Sequence, residues 1–199
     1  SRYKDKDVII LNSGYMLMDP STDFSDYDLN QEINKAISSY WNSDYENAIS
    51  SLKKLSYDHP NNFRINHFLG KCYHAQKDRY YANQYYSKAI EIDPENTEVR
   101  ADRVNLNFEN SYWRDVISDL DFLILRSTSV VNDYYFKRAY SKYQIGQIDE
   151  ALNDYSTLIN EYPNAYSALN NRALIYIKKS MNARALTDCI AGLKAAPKS

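Results

Sequence analysis

Glycine and proline are scarce in this chain of 199 residues, numbering 4 and 5. A multi-stranded β protein needs a turn every ten residues or so and draws on both residue types for it, so that class is disfavoured. So few glycines also leave little room for a phosphate-cradling loop. Cysteine is scarcer still: Cys72 and Cys189 lack any metal or redox spacing and read as small buried hydrophobes. Long apolar runs are missing. Stretches such as Val8 to Leu11 fall far short of a membrane span, and no secretory signal pattern is present. Nor is positive charge in excess, because a net charge of -2 does not supply the basic face of a nucleic-acid backbone binder. The expectations are no membrane span, no nucleic-acid partner and a soluble chain, with a cytoplasmic location favoured. Organism, compartment and process stay open.

What is abundant is tyrosine, at 20 residues, in a chain 44% hydrophobic and 25% charged. Tyrosine suits half-buried surfaces, where the ring packs and the hydroxyl stays wet. An all-α protein with much surface is the first expectation. Its grammar is periodic. Pro60, Pro94, Pro163 and Pro197 are separated by 34, 69 and 34 residues, and the middle interval is two units plus one residue, with the missing mark near Thr128. Twelve residues before each mark stand Ala48, Ala82, Val116, Ala151 and Ala185, and twenty-four before stand Ala36, Gly70, Val104, Ala139 and Ala173. Eight before stand Leu52, Tyr86, Leu120, Tyr155 and Cys189. Two antiparallel helices approach closely only where a small side chain faces a larger one. Proline then ends the second helix of each pair.

The second unit, with Leu69-Gly70, Tyr73, Ala82, Tyr86, Ala89 and Pro94, resembles a tetratricopeptide repeat. The fifth (Ala173, Tyr176, Ala185, Pro197) and the fourth (Ala139, Gly146, Ala151, Tyr155, Pro163) are close to the pattern. The first keeps Ala36, Tyr45, Ala48 and Pro60, and the third is degenerate. The resemblance implies a right-handed superhelical α-solenoid of about five antiparallel helix pairs, in units 29–62, 63–96, 97–131, 132–165 and 166–199. The helix pairs are expected at 29–42 with 45–58, 63–76 with 79–92, 97–110 with 113–126, 132–145 with 148–161, and 166–179 with 182–195. Each pair leaves an apolar face for its neighbour, so the array is stabilised at repeat interfaces.

Residues 1–28 fall outside the period. Two readings stand: a cap lying against the first repeat, or a leader whose Tyr15-Met16-Leu17-Met18 docks into a groove. At the other end the fifth unit has no polar capping helix after it, which suggests a piece of a larger protein or a partner at that end. No catalytic constellation emerges. His67 and His74 are seven apart on one helix, too far to share a metal alone, and read as solvated or hydrogen-bonded groove residues. Asp119 and Asp121 are two apart on a helix and diverge. No metal, no cofactor and no enzymatic activity are expected.

The resemblance further implies a concave face lined by the first helix of each pair. On that face it places Asn34, Arg64, Phe68, Lys71, Phe108, Phe136, Lys137 and Tyr140, our candidate contacts for a protein or peptide. Rings there can anchor a bound segment, and asparagine can grip its backbone. Charge is banded, basic at Arg64 and Lys71 and acidic at Glu98, Asp102 and Glu109, which favours a partner of complementary order. The alternative is that these charges pair between repeats and the rings fill gaps. A carboxylate clamp for chaperone C-terminal tails is not matched: one register offers Asn30 and Asn34, Phe68, then Glu98 and Asp102, where cations are needed. The other offers Glu98 and Asp102, Lys137, then Ser167 and Asn171. A non-enzymatic interaction scaffold is the leading reading. Self-assembly through the C-terminal face or the N-terminal leader, and a regulatory segment of a larger enzyme, are the others.

Overall fold

Short polar residues start four of the helices, and prolines follow three. Asp44, Asn62, Asp78 and Asn96 each accept a first-turn backbone N–H, which satisfies a donor that the helix leaves unpaired. Ahead of Pro60, Pro94 and Pro163 the second helices end at Asp58, Ile92 and Glu161. The computed structural model describes residues 8–11, 14–17 and 24–195, with side chains from residue 27 to 195. Among them are ten helices: α1 (Phe24–Trp41), α2 (Tyr45–Asp58), α3 (Phe63–Ala75), α4 (Arg79–Ile92), α5 (Thr97–Glu109), α6 (Trp113–Arg126), α7 (Asn132–Gln144), α8 (Ile148–Glu161), α9 (Tyr166–Lys178) and α10 (Asn182–Ala195). The chain is an all-α solenoid of five helix pairs, preceded by one short antiparallel hairpin of β1 (Val8–Leu11) and β2 (Gly14–Leu17).

Nine helices fall within a residue of their expected bounds; α1 does not. It begins at Phe24 rather than 29. Acidic residues suit the first turns of a helix, so part of the aspartate-bearing run read as leader continues as helix. The choice between cap and leader involves residues 1–7, 12–13 and 18–23, which lie outside the described residues.

The turn inside each pair is the same in all five. Ser43, Lys77, Ser111, Gly146 and Ser180 occupy one repeat position and all have positive φ, between 58° and 84°. Only Gly146 is the residue type that favours it. The spaced small residues then behave as their period demands. Ala36, Val104, Ala139 and Ala173 are buried opposite Leu52, Leu120, Tyr155 and Cys189, and Ala48, Ala82, Val116, Ala151 and Ala185 are buried beside them. At Gly70 the approach is closest: a Cβ there would lie 2.5 Å from Cδ1 of Tyr86. The third unit, degenerate in letters, is a complete helix pair, because Val104, Val116 and Leu120 fill the same places.

A second periodic device joins the pairs, and sequence reasoning missed it. Arg103, Arg138 and Arg172 each make two hydrogen bonds to a buried aspartate sixteen residues on, Asp119, Asp154 and Asp188, at 2.7 to 2.9 Å. Each arginine also donates to the preceding second helix, at Ser87, Asp121 and Ser156. One guanidinium therefore clamps three helices. The signal was present in the sequence as Arg and Asp at constant offset in three successive units. The second unit has Leu69 and Tyr85 at these places instead.

Candidate functional site

The first helices of neighbouring pairs touch, α1 with α3 and α3 with α5, whereas the second helices make no comparable contact with one another. The first helices thus share one side of the stack, the inner side, where α7 joins α5 through Lys137 on Asn105 and Tyr140 on Phe108. The candidate residues stand on that side.

Arg64 of α3 donates to Asn30 at 3.1 Å and to Asn34 of α1 at 2.7 Å. Lys71, one turn pair further along α3, lies 3.4 Å from Glu98 and 3.3 Å from Asp102 of α5. His67 meets Asp102 at 2.7 Å, and His74 and Lys77 both meet Glu109 at 3.3 Å. The basic band of α3 and the acidic band of α5 are thus each other's partners. The complementary order expected of a ligand is already supplied by the next repeat. Arg64 and Glu98 do not pair with each other; they take Asn34 and Lys71.

Burial works to lower the Lys71 ammonium pKa, but Asp102 and Glu98 outweigh it and hold the group above its ordinary range. Burial likewise pushes the Asp102 carboxyl up, and the hydrogen bond from His67 with the Lys71 charge overturns that and holds it low. His67, Glu98 and Asp102 bring one donor atom each within 4.8 Å of one another, the spacing of a metal site. Lys71 places its ammonium against both carboxylates, so the cluster carries its own cation and is an ion-pair network.

The rings form two stations on either side of this charged seam. Phe68 lies 5.7 Å from Tyr40 and 6.4 Å from Trp41, edge to face, with Lys71 over its own ring at 5.5 Å. Trp41 is 67% exposed, although it belongs to this cluster. The second station joins Phe108 to Tyr140 at 5.6 Å and Phe136 to Tyr140 at 6.5 Å. Trp113, the first residue of α6, completes it at 5.5 Å from Phe108 and 5.6 Å from Tyr140. A rule confined to first helices could not find Trp113. Lys137 sits over Phe108 and bonds Asn105 at 2.6 Å and Asp133 at 2.7 Å. Phe136 also lines a cavity of about 490 Å³ between α7 and α9, together with Asn132, Asp133, Asn164, Tyr166 and Ala168.

These features define a solenoid of stacked helix pairs with a ring-lined inner face. Two of the five units are matched as tetratricopeptide repeats: residues 63–96 and 133–165 each match a family model of that description. A crystal structure of MamA is similar over 80% of this chain and 93% of its own, at 24% identity and a TM-score of 0.72. MamA 41-end from Desulfovibrio magneticus RS-1 is similar over 84% and 94%, at 10% identity and a TM-score of 0.73. YrrB, described as a TPR protein with an unusual peptide-binding site, is similar over 84% and 86%, at 17% identity and a TM-score of 0.74. No curated protein sequence matches the chain. The repeats mark it as a protein–protein interaction scaffold in general terms. No described helix is long and apolar enough to cross a membrane.

Proposed function

We propose that the array is a non-enzymatic scaffold whose inner face holds a peptide segment or a protein surface at the two ring stations. The observation that carries this reading is the second station: Phe136 borders a cavity of about 490 Å³ that helix pairing leaves unfilled. Apolar anchors entering such cavities dominate peptide recognition, and surrounding amides fix the backbone. Asn34, Arg64, Phe68, Lys71, Phe108, Lys137 and Tyr140 complete the proposed contact face. Because Lys71 and Lys137 are already paired, the rings contribute more to affinity than these charges do. The peptide-binding site named for YrrB is in keeping with this use of the fold.

The test is a comparison of partner capture by the 199-residue chain and its Phe136→Ala and Trp41→Ala variants, in lysate of the source organism. Trp41 is exposed, so its removal leaves folding intact, and circular dichroism with a melting curve checks both variants. A partner held by wild type and lost by either variant supports the reading. A partner held equally by all three overturns it and moves the site off the inner face. Lys71→Glu is a poor probe here, because the new acid would meet Asp102 and Glu98 and strain the fold itself.

A further inference from the structure

Successive second helices stand apart, so the outer side of the stack carries a groove between each one and the next. One repeat position on α3, α5, α7 and α9 holds Tyr73, Asn107, Lys142 and Tyr176. Three of the four are engaged. Tyr73 stacks on Tyr85 at 5.6 Å with Lys53 over its ring, Lys142 bonds Asp154 at 2.8 Å, and Tyr176 lies against Arg172 and Arg184. Asn107 is different. Its side chain is shorter than tyrosine or lysine, the residue is 3% exposed, and its amide has no hydrogen-bond partner among the described residues. Buried amides are normally paired. This one borders a cavity of about 160 Å³ between α4 and the start of α6.

The rest of the lining is unengaged in the same way. Arg79, Asn83 and Gln84 come from α4, and Asp115 from the first turn of α6. Arg79 lies over the Tyr112 ring at 4.1 Å, which uses the face of the guanidinium and leaves its N–H edge open. Among the described residues Arg79 meets no carboxylate and Asp115 no cation, although both line the one cavity. In the groove beside Tyr176 the opposite charges, Lys179 and Asp149, already meet at 2.6 Å. We infer that the cavity at Asn107 binds a free α-amino acid with a small polar side chain, as its zwitterion. A guanidinium edge takes a carboxylate or a phosphate, but the charge of a phosphate would be set against Asp115. A carboxylate on Arg79 with an ammonium on Asp115 satisfies both. The amides of Asn83, Gln84 and Asn107 then offer donors and acceptors to a polar side chain. The volume is far below the roughly 300–1,000 Å³ of pockets for drug-sized ligands, and no aliphatic side chain lines it. The cavity lies away from the inner face, and the inference does not rest on the inner-face reading.

The probes are serine, asparagine and glutamine, titrated into the 199-residue chain by calorimetry while the Asn107 side-chain amide is followed by NMR. Each is compared with its decarboxylated amine, its deaminated acid and its N-acetyl amide, in which both charges are blocked. The expected result is saturable binding of at least one amino acid with a shift of the Asn107 amide signal. Its three analogues should bind about tenfold more weakly or worse. Arg79→Met and Asp115→Asn should each weaken the amino acid about tenfold or more. Both positions reach solvent, so these variants keep the wild-type melting curve. Asn107→Tyr installs the residue found at this position in the second and fifth units and should abolish binding by filling the cavity. No saturable binding of any of the three amino acids overturns the inference. So does binding untouched by Arg79→Met and Asp115→Asn, or an amine or acid that binds as tightly as the parent. Equal binding of the N-acetyl amide overturns it in favour of a polypeptide segment.

Discussion

The three arginine clamps should not be equally costly to break. Asp119 receives Arg103 twice and Arg100 at 3.3 Å. Asp154 receives Arg138 twice and Lys142 at 2.8 Å. Among the described residues Asp188 receives only Arg172, at 2.8 Å from both nitrogens. Arg172→Met therefore leaves an aspartate that is 3% exposed without a described cation. Stranding a buried charge in this way costs about 3–5 kcal/mol. Arg138→Met removes as many bonds from Asp154 but leaves Lys142, so its loss is about 1.5–3 kcal/mol, and the exposed pair with Asp121 adds little. Urea unfolding followed by circular dichroism gives the totals. Hydrogen exchange should accompany it, because a repeat array can lose its last pair without unfolding the rest. The double variant Arg172→Met with Asp188→Leu should recover most of the single loss, since an apolar pair replaces a charge pair at little cost. Equal losses for Arg138→Met and Arg172→Met, or no recovery in the double variant, would refute the reasoning.

Gly70→Ala should destabilise despite the better helix propensity of alanine: the added methyl meets the Tyr86 ring at 2.5 Å, and overpacking costs about 1–3 kcal/mol against a propensity gain of about 1. Urea unfolding checks it, and the same change combined with Tyr86→Leu should be milder; a stabilised single variant would contradict the close-approach argument. The seam between α3 and α5 should weaken in acid. Asp102 is held below its ordinary value, so its contribution is present above the unfolded carboxyl pKa of about 3.9 and is lost as pH falls through the folded value. The stability gap between wild type and Asp102→Asn, measured by melting, should then shrink below about pH 4; a gap constant from neutral pH to pH 3 would count against it. Burial pushes the Cys72 thiol up to about 12, so native protein at pH 8 should be alkylated by iodoacetamide at Cys189 well before Cys72, a result read by mass spectrometry. Rapid labelling of Cys72 would show that α3 opens far more readily than its burial implies.

The solenoid was legible because its cause is repeated. A single proline is weak evidence, but Pro60, Pro94 and Pro163 at one phase, with Ala48, Ala82 and Ala151 at another, describe helix ends and helix contacts several times over. The same redundancy carried the third unit, where valine and leucine replace the expected letters yet fill the same volume. What occurs once was not legible. The early start of α1 rests on no repeat, and the hairpin lies where the period has not begun. The arginine clamp is an instructive case between the two. It recurs at fixed offset in three units, but its period is charged, whereas helix packing announces itself through an apolar one.

The inner face was less legible for a different reason. Repeat positions identify which side chains share a surface, but not whether their charges are spent on each other. Arg64, Lys71 and Glu98 looked like an address for a ligand when read along the chain. Read across neighbouring helices, Lys71 lies within 3.4 Å of both Glu98 and Asp102, and Arg64 is held by Asn30 and Asn34. A ligand that sought these groups by charge would first have to break contacts that hold one repeat to the next, and would lose in repeat stacking much of what it gained in binding. The rings are only partly spent in this way: Phe68, Phe108 and Phe136 pack one side against the core clusters and are half-buried. Trp41 remains largely in solvent while packed edge to face with Tyr40 and Phe68, and Phe136 borders open space. On the proposed reading of this face as a binding surface, selectivity would belong to shape and apolar contact, and the binding should depend only slightly on salt.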